Sequence, residues 1–433
     1  MNNFEFLVLL YNNLGAYIPC ILLSCIIYWK LLKAQVNNIF DPLFLVFIGS
    51  TFSTAVIFFL YATKSIGFYY FSQYCITQAA FLFPFIKFSN ITYKKSTFHI
   101  FIIKDEKQLM YCTILILTLL DVLLQLYVYK VTGIPLFKES RLETFYGGSG
   151  FGIIARIITI TRFFSIYYSF YFLFDYKLHI RKYIITYLFL TIIFCVLSGS
   201  KSSILIYLHI FFCYCLVNKK KFPSISTKKV LTIGLGLCTI VIFSLYLKSN
   251  NLTTSIFSFL ERFIFYGDIY WQAYSYDTIE SINFNGNIFT ALFSDFLGSF
   301  RIMPWKHLPD SIGYTLSQYH NTSDLIMGAN ARHNVLGLIY CGYIGSIIFS
   351  FILGCTLSWA RNILINTKQQ SQIIKAFIVF LYTQISNIEI DPTLVVAGID
   401  SMVITLLSIG FLIFSSYCII KYINKNGNIY HNC

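Results

Sequence analysis

Eleven apolar stretches run through this chain, and no other feature constrains its fold as tightly. A helix needs about 20 apolar residues to cross a hydrocarbon core of roughly 30 Å, because each residue advances it by about 1.5 Å. The stretches lie at Phe6–Tyr28, Leu43–Tyr61, Ile66–Phe88, Leu109–Tyr129, Phe151–Phe174, Tyr183–Leu197, Ile204–Val217, Val230–Leu247, His333–Trp359, Ile373–Ile388 and Ile399–Ile420. The sixth, seventh and tenth are short, as tilted or half-buried segments would be. Only 12% of residues are charged, where a globular domain carries roughly 25%. The expected class is an all-α polytopic integral membrane protein with about 11 transmembrane helices, a single membrane domain over residues 1–433. The first stretch has no basic residue before it, so no cleavable signal peptide is expected.

Orientation follows from the basic residues, because positive loops stay cytoplasmic. Alternate connections carry them: Lys30 and Lys33, then Lys87 to Lys107, then Lys177 to Lys182, then Lys219 to Lys229, then Arg361 to Lys375, and finally the tail with Lys421 and Lys425. This predicts an outside N-terminus and an inside C-terminus. The net charge of +14 then lies beside lipid headgroups and does not call for nucleic acid. Two outer connections are too long to be turns: a first loop from Lys130 to Gly150 and a large loop from Lys248 to Arg332. Long connections are usually functional, which places the expected chemistry at the outer face.

Other patterns lack the context their chemistry needs. The twelve cysteines avoid both outer loops and sit mostly in apolar stretches, as small buried hydrophobes do. Neither a disulfide framework nor a metal site is expected. "GGSGFG" at 147–152 follows no strand, "SGSKSS" at 198–203 lacks P-loop spacing, and "NLT" at 251 and "NTS" at 321 are short enough to occur by chance.

Charges inside the stretches carry more information, since ionisable groups at membrane depth are expensive. Counting about 1.5 Å per residue from the outer ends puts Asp121 roughly 12 Å deep and Arg162 roughly 15 Å deep. They can pair structurally, or Arg162 can line an outward-facing anionic cavity. Arg156 has no carboxylate at matching spacing in its own helix. Along the same outer boundary come Arg141, Lys201, Arg262, Arg301 and Arg332. A ring of guanidinium groups suits phosphate, whose oxygens accept paired hydrogen bonds from the planar fork; the competing reading for each is snorkelling to lipid headgroups. His333 beside Arg332 has its protonated form disfavoured, which suits a base near neutral pH; a capping or interfacial role is the alternative.

Three stretches, "GIPLFKESRLETFYGGSGFGIIAR" at 133–156, "LSGSKSS" at 197–203 and "RHNVLGLIYCGYIG" at 332–345, together with the two outer loops, resemble the Wzy-type O-antigen polymerases, or oligosaccharide repeat-unit polymerases, of bacterial inner membranes. The resemblance implies a GT-C-like, metal-independent glycosyltransferase without a cofactor. It would work at the periplasmic face on undecaprenyl-pyrophosphate-linked oligosaccharide, within membrane lipid, with a chain-length regulator protein as a candidate partner. Arg156 matches the Arg after the first loop in this family, and Arg332 with His333 matches its Arg/His helix start. Lys201 stands where many relatives carry Arg, which weakens a paired phosphate contact. By this reading Arg156, Arg162, Arg262 and Arg332 stabilise pyrophosphate charge, with Lys201 and Arg141 near them. His333 deprotonates the acceptor hydroxyl. Glu261, Tyr266, Asp268 and Trp271 in "ERFIFYGDIYW" either bind sugar or pack as a loop helix on the bundle.

Two rivals share the composition. An O-antigen ligase differs in its acceptor alone. A flippase for lipid-linked oligosaccharide should place its polar residues mid-membrane along a pathway, not on one rim. Metal-dependent GT-C enzymes are disfavoured, because their paired acidic residues belong in the first outer loop, here the short "ATKS" near Lys64.

Overall fold

The computed structural model describes residues 1–36, 38–88, 106–138, 151–175, 180–198, 205–220, parts of 235–246, 249–320, 328–367 and 370–430. Among these residues the regular structure is helical, with no strand. The chain opens with α1 (Asn3–Asn12), α2 (Leu14–Leu32), α3 (Pro42–Ala62) and α4 (Phe68–Phe88), followed by α5 (Glu106–Thr132), α6 (Phe151–Asp175), α7 (Arg181–Leu197) and α8 (Leu205–Val217). The long connection contributes α9 (Leu252–Ile264), α10 (Asp268–Tyr274), α11 (Thr278–Ser281), α12 (Ile288–Leu292), α13 (Ser294–Ser299) and α14 (Ile312–His320). The chain closes with α15 (His333–Asn366), α16 (Gln372–Ile385) and α17 (Pro392–Tyr430).

Six helices are long and apolar enough to cross a membrane, and α8 and α16 are shorter apolar helices. This bears out an all-α membrane protein. The expected span Phe6–Tyr28 is broken at Asn13, whose φ of −129° and ψ of 32° separate α1 from α2. The expected span Val230–Leu247 lies largely outside the described residues.

Two compact units divide the described chain. The first gathers Met1–Thr92, Pro223–Ile363 and Tyr382–Ala397; the second gathers Tyr93–Phe222, Leu364–Leu381 and Gly398–Cys433.

In the first unit, Asp41 caps α3 by accepting the Leu43 N–H at 3.2 Å, with Pro42 at the first helical position. Along α3 the hydroxyls of Ser50, Thr51 and Thr54 each bond the carbonyl four residues back. That satisfies polar groups without interrupting an apolar helix. Gly354 lets α15 press on α4: a Cβ there would stand 2.1 Å from the Phe81 carbonyl oxygen.

The expected continuous span from His333 does not occur. Gly342 adopts φ 68° and ψ −172°, a conformation that only glycine reaches easily. The two arms of α15 fold back on each other there. His333 Nδ1 lies 2.9 Å from Ser350 Oγ, although 17 residues of straight helix would extend about 26 Å. Gly337 is the contact point, with a Cβ placed there 3.0 Å from that of Ser346. The arm beginning at His333 therefore runs toward the N-terminal end of α4, where Tyr343 bonds Ser72 at 3.0 Å.

The large loop also enters the helical body. Tyr266 lies against Gly49 and Gly267 against Val56, between one third and two thirds of the way along α3. Trp271 stacks on Phe6 at 3.8 Å. Backbone that leaves the helical ladder at such a level must be buried in protein or line a watery cavity, because lipid offers it no partner.

In the second unit, Asp121 on α5 and Arg162 on α6 form the pair that their depth allowed. Arg162 Nη2 lies 3.0 Å from Asp121 Oδ1 and Nε 3.3 Å from Oδ2. Gln125 accepts from Nη2 at 2.7 Å and Tyr187 donates to Asp121 at 2.8 Å. At the other end of this unit Lys220 pairs with Asp175 at 2.5 Å.

Candidate functional site

Three departures from regular helix meet in the first unit. They are the short 3-10 turn Phe265–Gly267, the irregular residues before His333, and the turn between Ile385 and Pro392. Arg332 joins all three. Its Nε donates to the Tyr266 carbonyl at 3.1 Å, and Nη1 stands 3.6 Å from Glu389 Oε1. Its neighbour Ala331 donates its N–H to Asp391 at 3.3 Å. Nη2 of this buried guanidinium has no hydrogen-bond partner. At 3.6 Å the contact with Glu389 is an ion pair without a hydrogen bond.

A connected set of polar groups surrounds that pair. Gln78 donates to Glu389 Oε1 at 2.8 Å and to Tyr28 at 2.9 Å. Thr54 stands between the hydroxyls of Tyr28 and Tyr74 at 3.2 and 2.6 Å. Asn334 accepts from Tyr270 at 2.7 Å and donates to Thr77 at 2.9 Å. Connected networks of this kind fix one arrangement of a core, because breaking a member leaves a further buried polar atom unpaired, beside Arg332 Nη2 and Glu389 Oε2, which have no hydrogen-bond partner.

His333 is wholly buried. Besides Ser350 at Nδ1, its Nε2 donates to Gln78 Oε1 at 3.2 Å, and its ring stacks on Phe81 at 4.8 Å. In this structure neither ring nitrogen faces an open space where an acceptor hydroxyl would stand. The reason is the reversal at Gly342, which carries the start of α15 inward. Arg332, expected along the outer boundary, is likewise buried.

Asp268 begins α10, two residues beyond the carbonyl that Arg332 holds. Its Oδ1 accepts the Ile269 N–H at 2.9 Å, and the side chain is only half-buried. Removal from water pushes its carboxyl up to about 7, against the opposing pull of the Ile269 N–H and the Arg332 charge.

The remaining expected residues are distributed as follows. Arg262 is exposed on α9, Glu261 beside it is half-buried, and Arg301 is exposed in the loop after α13. Trp271 is buried and donates to Asn3 at 3.1 Å, so its ring is a packing element. Arg156 and Arg162 belong to the second unit, where Arg156 is half-buried on α6. Arg141 and Lys201 lie outside the described residues. Among the described residues no group of His, Cys, Asp or Glu could hold a metal ion.

Sequence reasoning missed Glu389, Gln78, Tyr28, Tyr74 and Tyr270. The signal for Glu389 was present, since "EIDP" at 389–392 sets two carboxylates and a proline between apolar stretches.

Compared with protein-family models, with curated proteins and with solved structures, the chain matches none.

Proposed function

We propose that this chain is a membrane-embedded, GT-C-like glycosyltransferase that polymerises undecaprenyl-pyrophosphate-linked oligosaccharide repeat units at the outer face of a bacterial inner membrane. The observation that supports it is Arg332, a buried guanidinium with Nη2 unpartnered, beside a loop that carries a reachable carboxylate. Pyrophosphate is already a good leaving group, so the main catalytic need is a cation fixed where charge develops. An oxyanion reaching Nη2 would meet a donor held in advance by the Tyr266 carbonyl and Glu389. A charge-assisted hydrogen bond there is stronger than in water, because the surroundings are apolar.

A second reading, transport of the same lipid-linked glycan, is favoured by one feature. The three breaks in helix around Arg332 resemble the discontinuous helices that form midplane sites in transporters. Purified protein in proteoliposomes, given a synthetic lipid-linked repeat unit, separates the two. The expected outcome is multi-repeat product, reduced at least 100-fold in Arg332→Gln. Movement of the unit between leaflets with no elongation would replace the polymerase reading with the transport reading.

A further inference from the structure

The polymerase chemistry needs a proton acceptor for the attacking hydroxyl, and the buried imidazole of His333 offers none within reach. Three carboxylates lie on the segments that meet at Arg332. Glu389 is 1% exposed and holds both Arg332 and Gln78. Asp391 is buried as well; its Oδ1 accepts the Thr393 and Leu394 N–H groups that open α17, and its Oδ2 accepts from Ala331. Asp268 is different, because it alone of the three is half-buried rather than buried.

Local geometry holds that carboxylate in place. Gly267 packs on Val56 so closely that a Cβ would stand 2.8 Å from Val56 Cβ. Tyr266 is pinned by its carbonyl to Arg332 and by its ring to Gly49. The next residues, Ile269 and Tyr270, are fully buried, so the turn cannot slide. A base mounted on a rigid turn beside the cation meets the first requirement of general-base catalysis, which is position.

We infer that Asp268, resting on the polymerase reading above, is the general base that takes the proton from the acceptor sugar hydroxyl. In that step the acceptor oxygen forms a bond to the anomeric carbon of the donor glycan. The bond from that carbon to the pyrophosphate oxygen breaks, and its electron pair leaves with the undecaprenyl pyrophosphate, whose added charge faces Arg332. The hydroxyl proton passes to the Asp268 carboxylate and then to water. The charged and titratable groups around Asp268 are Arg332 from the start of α15, Tyr270 on its own helix and, across the guanidinium, Glu389; α3 presents Gly49 and Val56 to this turn. The raised carboxyl of Asp268 agrees with this assignment, since a base titrating near 7 is matched to neutral conditions.

The test uses the full chain in nanodiscs with a synthetic lipid-linked repeat unit as both donor and acceptor, measuring elongation from pH 5 to 9. Wild-type rate should rise with pH and level off above about 7. Asp268→Asn should lose about 10²- to 10⁴-fold in rate and its pH limb, while still binding the lipid-linked unit. Asp268→Glu should recover part of the rate with a displaced limb. Asp268→Asn with wild-type rate and an unchanged limb would overturn the assignment. Loss of both rate and substrate binding in Asp268→Asn, without recovery in Asp268→Glu, would also overturn it by making the residue structural. Absence of elongation by the wild type would instead refute the polymerase reading, and this assignment would fall with it.

Discussion

Cross-linking across α15 gives the sharpest test of the geometry from which the site is built. With the reversal at Gly342, a Cβ added at Gly337 stands 3.0 Å from that of Ser346. A continuous helix would hold the two positions about 14 Å apart along its axis, nine residues at 1.5 Å each. A disulfide needs Cβ atoms roughly 3.5–4.5 Å apart, so the folded-back arms require a separation of about half an ångström and a straight helix forbids the bond. Gly337→Cys with Ser346→Cys, in a background lacking the twelve native cysteines, should oxidise rapidly and join the two peptides in a digest. Single variants control for intermolecular bridges. Failure of the double variant to cross-link, with protein abundance retained, would refute the reversal, and with it the inward placement of Arg332 and His333.

Four other outcomes are expected. Gly342→Ala meets no atom within 4 Å, so its cost is backbone strain alone, about 1–3 kcal/mol in detergent unfolding; unchanged stability would argue against the positive φ. Arg332→Gln or Glu389→Gln leaves an uncompensated buried charge, which costs about 3–5 kcal/mol. The double substitution should regain part of that loss in thermal denaturation, and two independent, additive losses would show that the groups do not interact. Asp121→Arg or Arg162→Asp should each lower the amount of membrane protein on a western blot, with recovery in the swapped double; normal abundance with lost activity in both singles would contradict a structural pair. Asp268 titrates near 7 when folded against an ordinary 3.8, so folding favours its protonated form. The stability this supplies is complete below about pH 4 and is lost as pH rises through 7. Asp268→Asn should therefore flatten that part of the profile of melting temperature against pH, and curves that stay parallel would contradict the shift.

Where the sequence was legible, a single physical rule governed the outcome. Apolar length located α3, α5 and α6 because lipid admits few alternatives to a continuous helix. Depth counting found Asp121 and Arg162 because both lie on uninterrupted helices, so position along the chain converts directly to height. The burial of Arg332 was not legible in this way. That residue precedes a helix that turns back at Gly342, and one glycine in an apolar stretch reads as a tolerated helix residue. Asn12 and Asn13 concealed a break for a similar reason, since apolar residues resume at once in Leu14. The polar set around Glu389 was illegible because its partners are brought together by tertiary packing, and no local pattern records that. His333 was recognised as unusual, but its sealed environment comes from Gln78, Phe81 and Ser350, which no spacing rule connects to it.

The hydrogen bond from Gln78 to Glu389 spans 311 residues of sequence, and that separation bears on assembly. Arg332 is made before Glu389, the carboxylate that it faces at 3.6 Å in the folded protein. Until Glu389 arrives, the guanidinium lacks the carboxylate that stands 3.6 Å from its Nη1. A chain stopped anywhere between Arg332 and Glu389 would stay in that condition. Closure of this ion pair therefore waits on the turn before α17.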